Sequence, residues 1–440
     1  MNEANATSNS QAGLPNPSLP RWGWYLFDFA NSILIINGGL YFPEWITKEN
    51  GVSDFWFNAT ILLSSALVLL TAPIFGHLFD RRGGRLSYLF ITSLMMFGGG
   101  LTISFAGMFL HDWNWRSCLS LVAFGTILYA YQLSLVFYNV LLGRVSLPNK
   151  RAAVSGYGLA WGWIGGIFAI FAIFPFVQGH VPYFQPAGRI QAILPSTLLY
   201  AAMTSVSLWL LRKDPSFQTS SFKGKGKGVW IALFQTLKLL PKIRPLFLFI
   251  ISYFLFSDAI LTIQNNSTIF MGSVFNLSTN NQAMVYVVFL TLSAAGALFS
   301  AWLMKRCEFK KVLLVSLFMW LALIVATLYV ALPILGAMLL SIMGFANGML
   351  WNVSRVWFYE LAPANARGEL FGYYTALEKV ATFLGPLFWS ASLVLIPVKA
   401  PMNYKFALAA MGVLVLLSLF PLKMIKRDSL NKDTLNKESC

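Results

Sequence analysis

Trp24-Tyr25-Leu26-Phe27-Asp28-Phe29-Ala30-Asn31-Ser32 sets a carboxylate, an amide and a hydroxyl at spacings of three and four residues within an apolar run. Side chains so spaced share one face of an α-helix. The surrounding residues, from about 24 to 46, are otherwise apolar enough to cross a bilayer, which takes about 20 such residues. An ionisable group near the middle of a membrane helix costs about 2.5–3.5 kcal/mol on insertion scales. Asp28 is therefore expected to face a cavity or a partner rather than lipid.

The rest of the chain supports a membrane reading. Of its 440 residues, 57% are hydrophobic and 11% are charged. That balance excludes a soluble enzyme of two or three domains and indicates a polytopic membrane protein. Further runs of spanning length fall at about 57–79, 87–110, 118–143, 154–177 and 191–211. A second set occupies about 246–270, 283–304, 312–330, 332–358, 370–396 and 404–425. The prediction is an all-α protein of twelve transmembrane helices in two six-helix bundles.

The formal charge of +16 has two common origins, nucleic-acid binding and the Lys and Arg excess of cytoplasmic loops. Position separates them. With the N-terminus inside, 26 basic residues fall in inner segments, and Lys48, Arg116, Arg189, Lys399 and Lys405 fall outside. The asymmetry predicts both termini in the cytoplasm and leaves no charge that needs nucleic acid to explain it. Cys118, Cys307 and Cys440 form no CxxC pair and the three histidines are dispersed, so neither a disulfide framework nor a metal site is indicated. The polar first 20 residues lack the pattern of a cleaved signal peptide.

The expected organisation is a cytoplasmic tail (1–22), a six-helix bundle (23–211), a basic cytoplasmic linker (212–245), a second bundle (246–425) and a C-terminal tail (426–440). The linker holds a Gly and Lys repeat from Phe222, then a stretch predicted as a short interfacial helix with Trp230, Phe234 and Leu237 on one side. The bundles read as repeats. Asp28 precedes Ser32 by four residues, and Asp258 precedes Thr262 likewise. Arg151-Ala-Ala-Val-Ser-Gly156-Tyr157 opens the fifth span as Arg367-Gly-Glu-Leu-Phe-Gly372-Tyr373 opens the eleventh. Parallel six-helix repeats are the architecture of major facilitator transporters, whose substrate site lies between the halves near the midplane. On that architecture Asp258 becomes the counterpart of Asp28 and the other wall of a cavity.

The loop after the second span, Gly76-His77-Leu78-Phe79-Asp80-Arg81-Arg82-Gly83-Gly84-Arg85, resembles the signature between helices 2 and 3 of the major facilitator superfamily. Gly76 permits close helix approach. Asp80 can accept from basic groups and from a neighbouring helix N-terminus across a cytoplasmic gate, with Arg81, Gly83 and Arg85 completing the motif.

At a finer level the chain resembles the fungal vacuolar, autophagy-related amino-acid effluxers and their bacterial relatives. The matching blocks are Asp28-Phe-Ala-Asn-Ser32 with Phe42-Pro43, Tyr138-Asn139, Ser155-Gly-Tyr-Gly158 with Gly162 and Gly165-Gly166, Asp258 with Thr262, and Phe371-Gly372, Lys379 and Phe383-Leu-Gly-Pro386. The resemblance implies a monomeric secondary transporter of a small-molecule solute in a bacterial inner membrane. It implies no enzymatic activity and no cofactor, with a proton or other ion gradient as the driving force. Two departures stand out: Gly143-Arg144 where the family shows a Pro-Asp pair, and Glu378 where it keeps a small residue.

Polar residues within the spans are the candidates for binding substrate or proton. They are Asp28, Asn31 and Ser32 in the first span, Gln132 and Asn139 on one face of the fourth, and Asp258 and Thr262 in the seventh. Arg355 in the tenth and Glu378 with Lys379 in the eleventh complete the set. Asp28 and Asp258 each admit two readings, a protonatable cavity carboxylate or a structural hydrogen-bonding group. Arg355 and Glu378 lie near the same end of consecutive antiparallel helices and are placed to pair, or Arg355 to hold a substrate carboxylate. The glycines of the fifth span suit tight packing or a helix that bends.

Three functions compete. The first is transport of an amino acid or related compound by rocking of two bundles. The second keeps the fold but carries a lipid, siderophore or drug-like amphiphile. The third is an intramembrane aspartyl protease, which would carry Gly-x-Gly-Asp where Asp258 here comes after Leu255-Phe256-Ser257. No nucleotide-binding loop is present.

Overall fold

The computed structural model describes residues 18–181, 188–213, 236, 238, 240–395 and 401–425. Most of the terminal tails and of the linker, including its predicted interfacial helix, lies outside the described residues. Six long helices form the first half: α1 (Ser18–Glu44), α2 (Asp54–Arg81), α3 (Ser87–Phe109), α4 (Trp113–Val145), α5 (Arg151–Val177) and α6 (Ile193–Arg212). Six form the second: α7 (Arg244–Asn265), α8 (Thr279–Leu303), α9 (Phe309–Tyr329), α10 (Pro333–Leu361), α11 (Arg367–Leu395) and α12 (Met402–Met424). Twelve long helices in two pseudo-symmetric bundles are therefore present among the described residues, and the two helices expected to open alike, α5 and α11, begin at Arg151 and Arg367.

One predicted span is broken. The run expected as 246–270 stops at Asn265, and a short helix, Ser267–Phe275, continues after Asn266. The cause is local: the Asn266 side-chain amide donates to the Thr262 carbonyl at 2.9 Å, competing with the helix ladder there.

Ten of the helices are long and apolar enough to cross a bilayer by composition, and α1 and α11 are not among them. These two carry Asp28, Asn31 and Asn37, and Glu378 and Lys379. Bulky side chains such as Leu63, Leu70, Phe171 and Phe420 stand exposed around the outside, where hydrocarbon would meet them. In lipid, apolar side chains gain little from leaving their surroundings, so helix association relies on close packing and interhelical hydrogen bonds. The glycines supply the first. A Cβ on Gly344 or Gly348 of α10 would strike the backbone of α8. Asn352 supplies the second, donating from α10 to the Ala297 carbonyl at 3.0 Å and to Ser300 Oγ at 2.8 Å on α8.

The halves meet along α2 with α11 and along α5 with α8. Because consecutive helices run antiparallel, the start of α1, the end of α12 and the loops after α2, α4, α8 and α10 share one end of the molecule. That end carries Arg82, Arg85, Arg144, Arg151, Lys310 and Lys311 and forms a basic face.

Candidate functional site

The basic face is closed by contacts between the halves. Asp80, at the end of α2, accepts from the backbone N–H groups of Gly368 (2.9 Å) and Glu369 (3.1 Å) in the first turn of α11. These N–H groups have no partner within their own helix, and the positive end of the helix dipole favours the carboxylate that takes them. Gly76 makes the approach possible, since a Cβ there would collide with the Gly368 carbonyl. His77 adds a 2.9 Å contact from Nδ1 to Glu369. On the other flank Arg151 of α5 pairs with Glu360 of α10. The two pseudo-equivalent arginines, Arg151 and Arg367, both stack on the ring of Tyr359, at 4.6 and 4.1 Å from its centroid.

Gly83 and Gly84 of the predicted motif adopt φ of +67° and +63°, backbone that L side chains rarely take. Their carbonyls accept from Arg144, at 2.5 and 3.1 Å. The departure at Arg144 thus fastens the loop of the gating motif to the end of α4.

Above this plug lies a cavity of about 270 Å3 between the halves. Asp28, Ser32, Gln132, Asn139, Arg355 and Glu378 line it, so six of the candidate residues, from four helices, are brought together. Gly162 of α5 makes room for the first of them: a Cβ there would stand 2.8 Å from Asp28 Oδ2. The Arg355 guanidinium is buried. It donates to Ser155 Oγ at 2.9 Å and to the Ser155 carbonyl at 2.5 Å, lies 5.2 Å from the Trp24 ring centroid, and its charge reaches Asp28 across the seam. Trp24 is held in turn by its indole N–H, which donates to the Tyr138 carbonyl at 2.9 Å, and by stacking on the Tyr138 ring at 4.2 Å.

Four predicted site residues are placed elsewhere. Asp258 is buried and accepts from the Gly385 N–H of α11 at 2.7 Å, so it is not the opposite wall of the cavity. Pro386 comes next after Gly385, and a proline inside a membrane helix frees backbone groups that neighbouring helices must satisfy. Thr262 packs beside it, buried, with no hydrogen-bond partner for its hydroxyl among the described residues. Asn31 is likewise fully buried outside the cavity, and Lys379 does not line it.

The expected ion pair between Arg355 and Glu378 is also absent among the described residues. Glu378 accepts from the Tyr253 hydroxyl, and Arg355 is taken by Ser155 on the other half. The interhelical pairing gives way because Ser155 offers two acceptors at the seam. The glycine-rich α5 serves as a packing face: a Cβ on Gly158 or Gly165 would meet Trp24 or the Phe29 backbone of α1, and one on Gly156 would meet α8.

The cavity also contains residues outside the candidate set. Tyr131, Tyr138, Trp163, Trp351 and Tyr374 give it aromatic walls, and Gln264 of α7 lines it as well. Gln264 and Trp351 both donate to Asn347 Oδ1, each at 2.7 Å. For the aromatics a signal exists only in retrospect, as Trp and Tyr in the middle of spans rather than at interfaces, whereas Gln264 carries the same signal as the candidates, a polar group inside an apolar span.

The architecture agrees with solved transporters. A bacterial homologue of the iron transporter ferroportin, in an outward-facing state, superposes with a TM-score of 0.71 at 14% identity, over 92% of this chain and 98% of that one. The major facilitator transporter FucP, in its outward conformation, gives 0.67 at 13% identity, over 92% and 99%.

Relatives are also found by sequence. An uncharacterized MFS-type transporter, YxiO of Bacillus subtilis, is 24% identical over 412 residues, 89% of this chain and 91% of its own length. Autophagy-related protein 22-2 of Aspergillus fumigatus is 23% identical over 268 residues, 54% of this chain and 44% of its own. Residues 144–434 match the family described as vacuole effluxer Atg22 like. With about two thirds of its length matching the family model and the fold in agreement, this chain belongs to the Atg22-like family of major facilitator transporters.

Proposed function

We propose that this protein is a secondary transporter of a small solute bearing an ammonium group, an amino acid or related compound, exchanged against or carried with protons. The observation that carries the reading is the charge of the central cavity. Two carboxylates, Asp28 and Glu378, line it with one guanidinium, and that guanidinium is already bonded to Ser155. Asp28 faces the cavity beside Arg355 and Tyr138 and, unlike Asp258, is tied to no backbone donor among the described residues, so its carboxylate is placed to take a proton or a cationic group of the solute. Aromatic walls favour the same kind of ligand, since ring faces attract ammonium groups.

Transport is then a matter of opening the gate. With Asp80 on the N-terminus of α11 and Arg151 on Glu360, the cavity is shut at the basic face, and rocking of the halves must break both contacts to open it there. Taking the basic face as cytoplasmic, this is a state closed to the cytoplasm, of a protein in a bacterial inner membrane working as a monomer. The test is uptake or efflux of labelled amino acids by proteoliposomes under an imposed pH gradient. Flux that tracks the gradient in the wild type and not in Asp28→Asn supports the reading. Flux indifferent to both the gradient and the substitution would sink it.

A further inference from the structure

A second chamber, of about 150 Å3, adjoins the central cavity and is lined by the C-terminal half together with Trp163 of α5. Trp163 and Gln264 line both spaces and form the wall between them. By helix position the chamber lies on the side of the midplane away from the basic face, along the route by which a solute would meet the cavity. Trp320 of α9 forms its far side.

The chamber has an excess of hydrogen-bond donors. The indole N–H of Trp320, a fully buried residue, and the buried indole N–H of Trp163 have no acceptor among the described residues. A third donor stands nearby. Asn347 Oδ1 accepts from both Gln264 and Trp351 at 2.7 Å, and an indole can only donate, so the amide orientation is fixed and Asn347 Nδ2 is left unpartnered among the described residues. A buried donor without a partner costs about 1–3 kcal/mol. Trp163 and Trp320 line the space, Asn347 adjoins it through Gln264, and none of the three donors is taken by the acceptors around it, Asn265 and Ser267 among them.

We infer that this chamber is a binding subsite for the acceptor end of the solute, a carboxylate or carbonyl oxygen held by the indole N–H groups of Trp163 and Trp320. The inference rests on the amine-solute reading and gives it an orientation. The ammonium sits toward Asp28 and Glu378, and the oxygen-bearing end reaches past Gln264 into the chamber. It also relieves Arg355 of the solute carboxylate, in keeping with the bonds Arg355 already makes to Ser155. Solutes lacking the acceptor end would leave the indole donors unpaired and bind less tightly.

The experiment compares the purified full-length protein with Trp163→Phe and Trp320→Phe, which keep an aromatic ring and remove the N–H. Thermal stabilisation is titrated with three pairs of probes that differ by a carboxylate: leucine and isopentylamine, tyrosine and tyramine, lysine and cadaverine. The wild type is expected to prefer the carboxylated member of at least one pair. Each Phe variant should lose about tenfold in affinity for that member, the equivalent of one charge-assisted hydrogen bond, and stay within about twofold for the amine.

Unchanged preference in both variants would overturn the inference and assign the chamber to ordered water alone. Equal loss for both members of a pair would also overturn it, marking the indoles as packing groups. Should none of the six probes stabilise the wild type, the amine-solute reading itself falls and takes the subsite with it.

Discussion

Asp28 in α1 and Asp258 in α7 each stand four residues before a hydroxyl, and each faces a glycine on the equivalent helix of its own half, Gly162 of α5 and Gly385 of α11. The residue after each glycine differs. Beyond Gly385 stands Pro386, which disturbs the backbone ladder of α11, and the Gly385 N–H is satisfied by Asp258 at 2.7 Å. Beyond Gly162 stands Trp163, no proline interrupts α5 at that turn, and the Asp28 carboxylate is left lining the cavity. A repeat can thus preserve a carboxylate in both halves while one copy mends a helix and the other stays available for chemistry. The difference lies in what the facing helix offers, a backbone N–H at Gly385, rather than in the carboxylate's own neighbours.

The largest expected effect separates the two aspartates. Asp28→Asn should cut gradient-driven transport by more than about tenfold, at least about 1.4 kcal/mol on the barrier, with little change in melting temperature. Asp258→Asn keeps an oxygen acceptor for Gly385 and should change transport by less than about twofold. Asp258→Ala removes that acceptor and should cost about 1–3 kcal/mol of stability, read as lower resistance to heat in detergent. A tenfold transport loss in a stable Asp258→Asn protein would break the contrast.

The next effect tests the glycines. In Gly162→Ala the new methyl would lie 2.8 Å from Asp28 Oδ2, and in Gly385→Ala it would collide with Thr262 Oγ1 and lie 2.6 Å from Asp258 Oδ1. Overpacking of this kind costs about 1–3 kcal/mol. The readouts should diverge: Gly162→Ala moves a cavity carboxylate and lowers transport several-fold, whereas Gly385→Ala pushes Asp258 off its donor and lowers stability first. Transport and melting curves on both proteins check this, and matched changes in the two would show that the carboxylates share one role.

These contrasts also mark how far the residues announce their roles. Six cavity residues are legible because a polar group inside an apolar span has few other uses, and Asp80 because an acidic residue beside Gly76 fits a helix N-terminus. Asp258 misleads for the same reason Asp28 informs. Its partner is a backbone N–H, which every residue except proline carries and no side-chain pattern displays. Tyr131, Trp163, Trp351 and Tyr374 stay hidden because aromatic residues are common in membrane helices, and only helix rotation distinguishes a cavity wall from a lipid-facing surface. The Arg355 and Glu378 pair fails because Ser155, two hundred residues away in the other half, competes for the guanidinium, and adjacency of α10 and α11 in the chain gives no sign of it.

The smallest effect is also the most discriminating between the two halves. Ser32 lines the cavity, while Thr262 is buried with an unpartnered hydroxyl among the described residues. Thr262→Val keeps the shape of the side chain and removes only that hydroxyl, so stability should change by no more than about 0.5 kcal/mol, or rise, and transport should hold. Ser32→Ala removes a group exposed to the solute and should weaken apparent affinity by a few-fold at constant stability. The comparison turns on apparent affinity measured for both proteins with one labelled solute. If Thr262→Val weakens affinity as Ser32→Ala does, the α7 pattern contacts solute during the cycle, and Asp258 must leave Gly385 at some stage to do so.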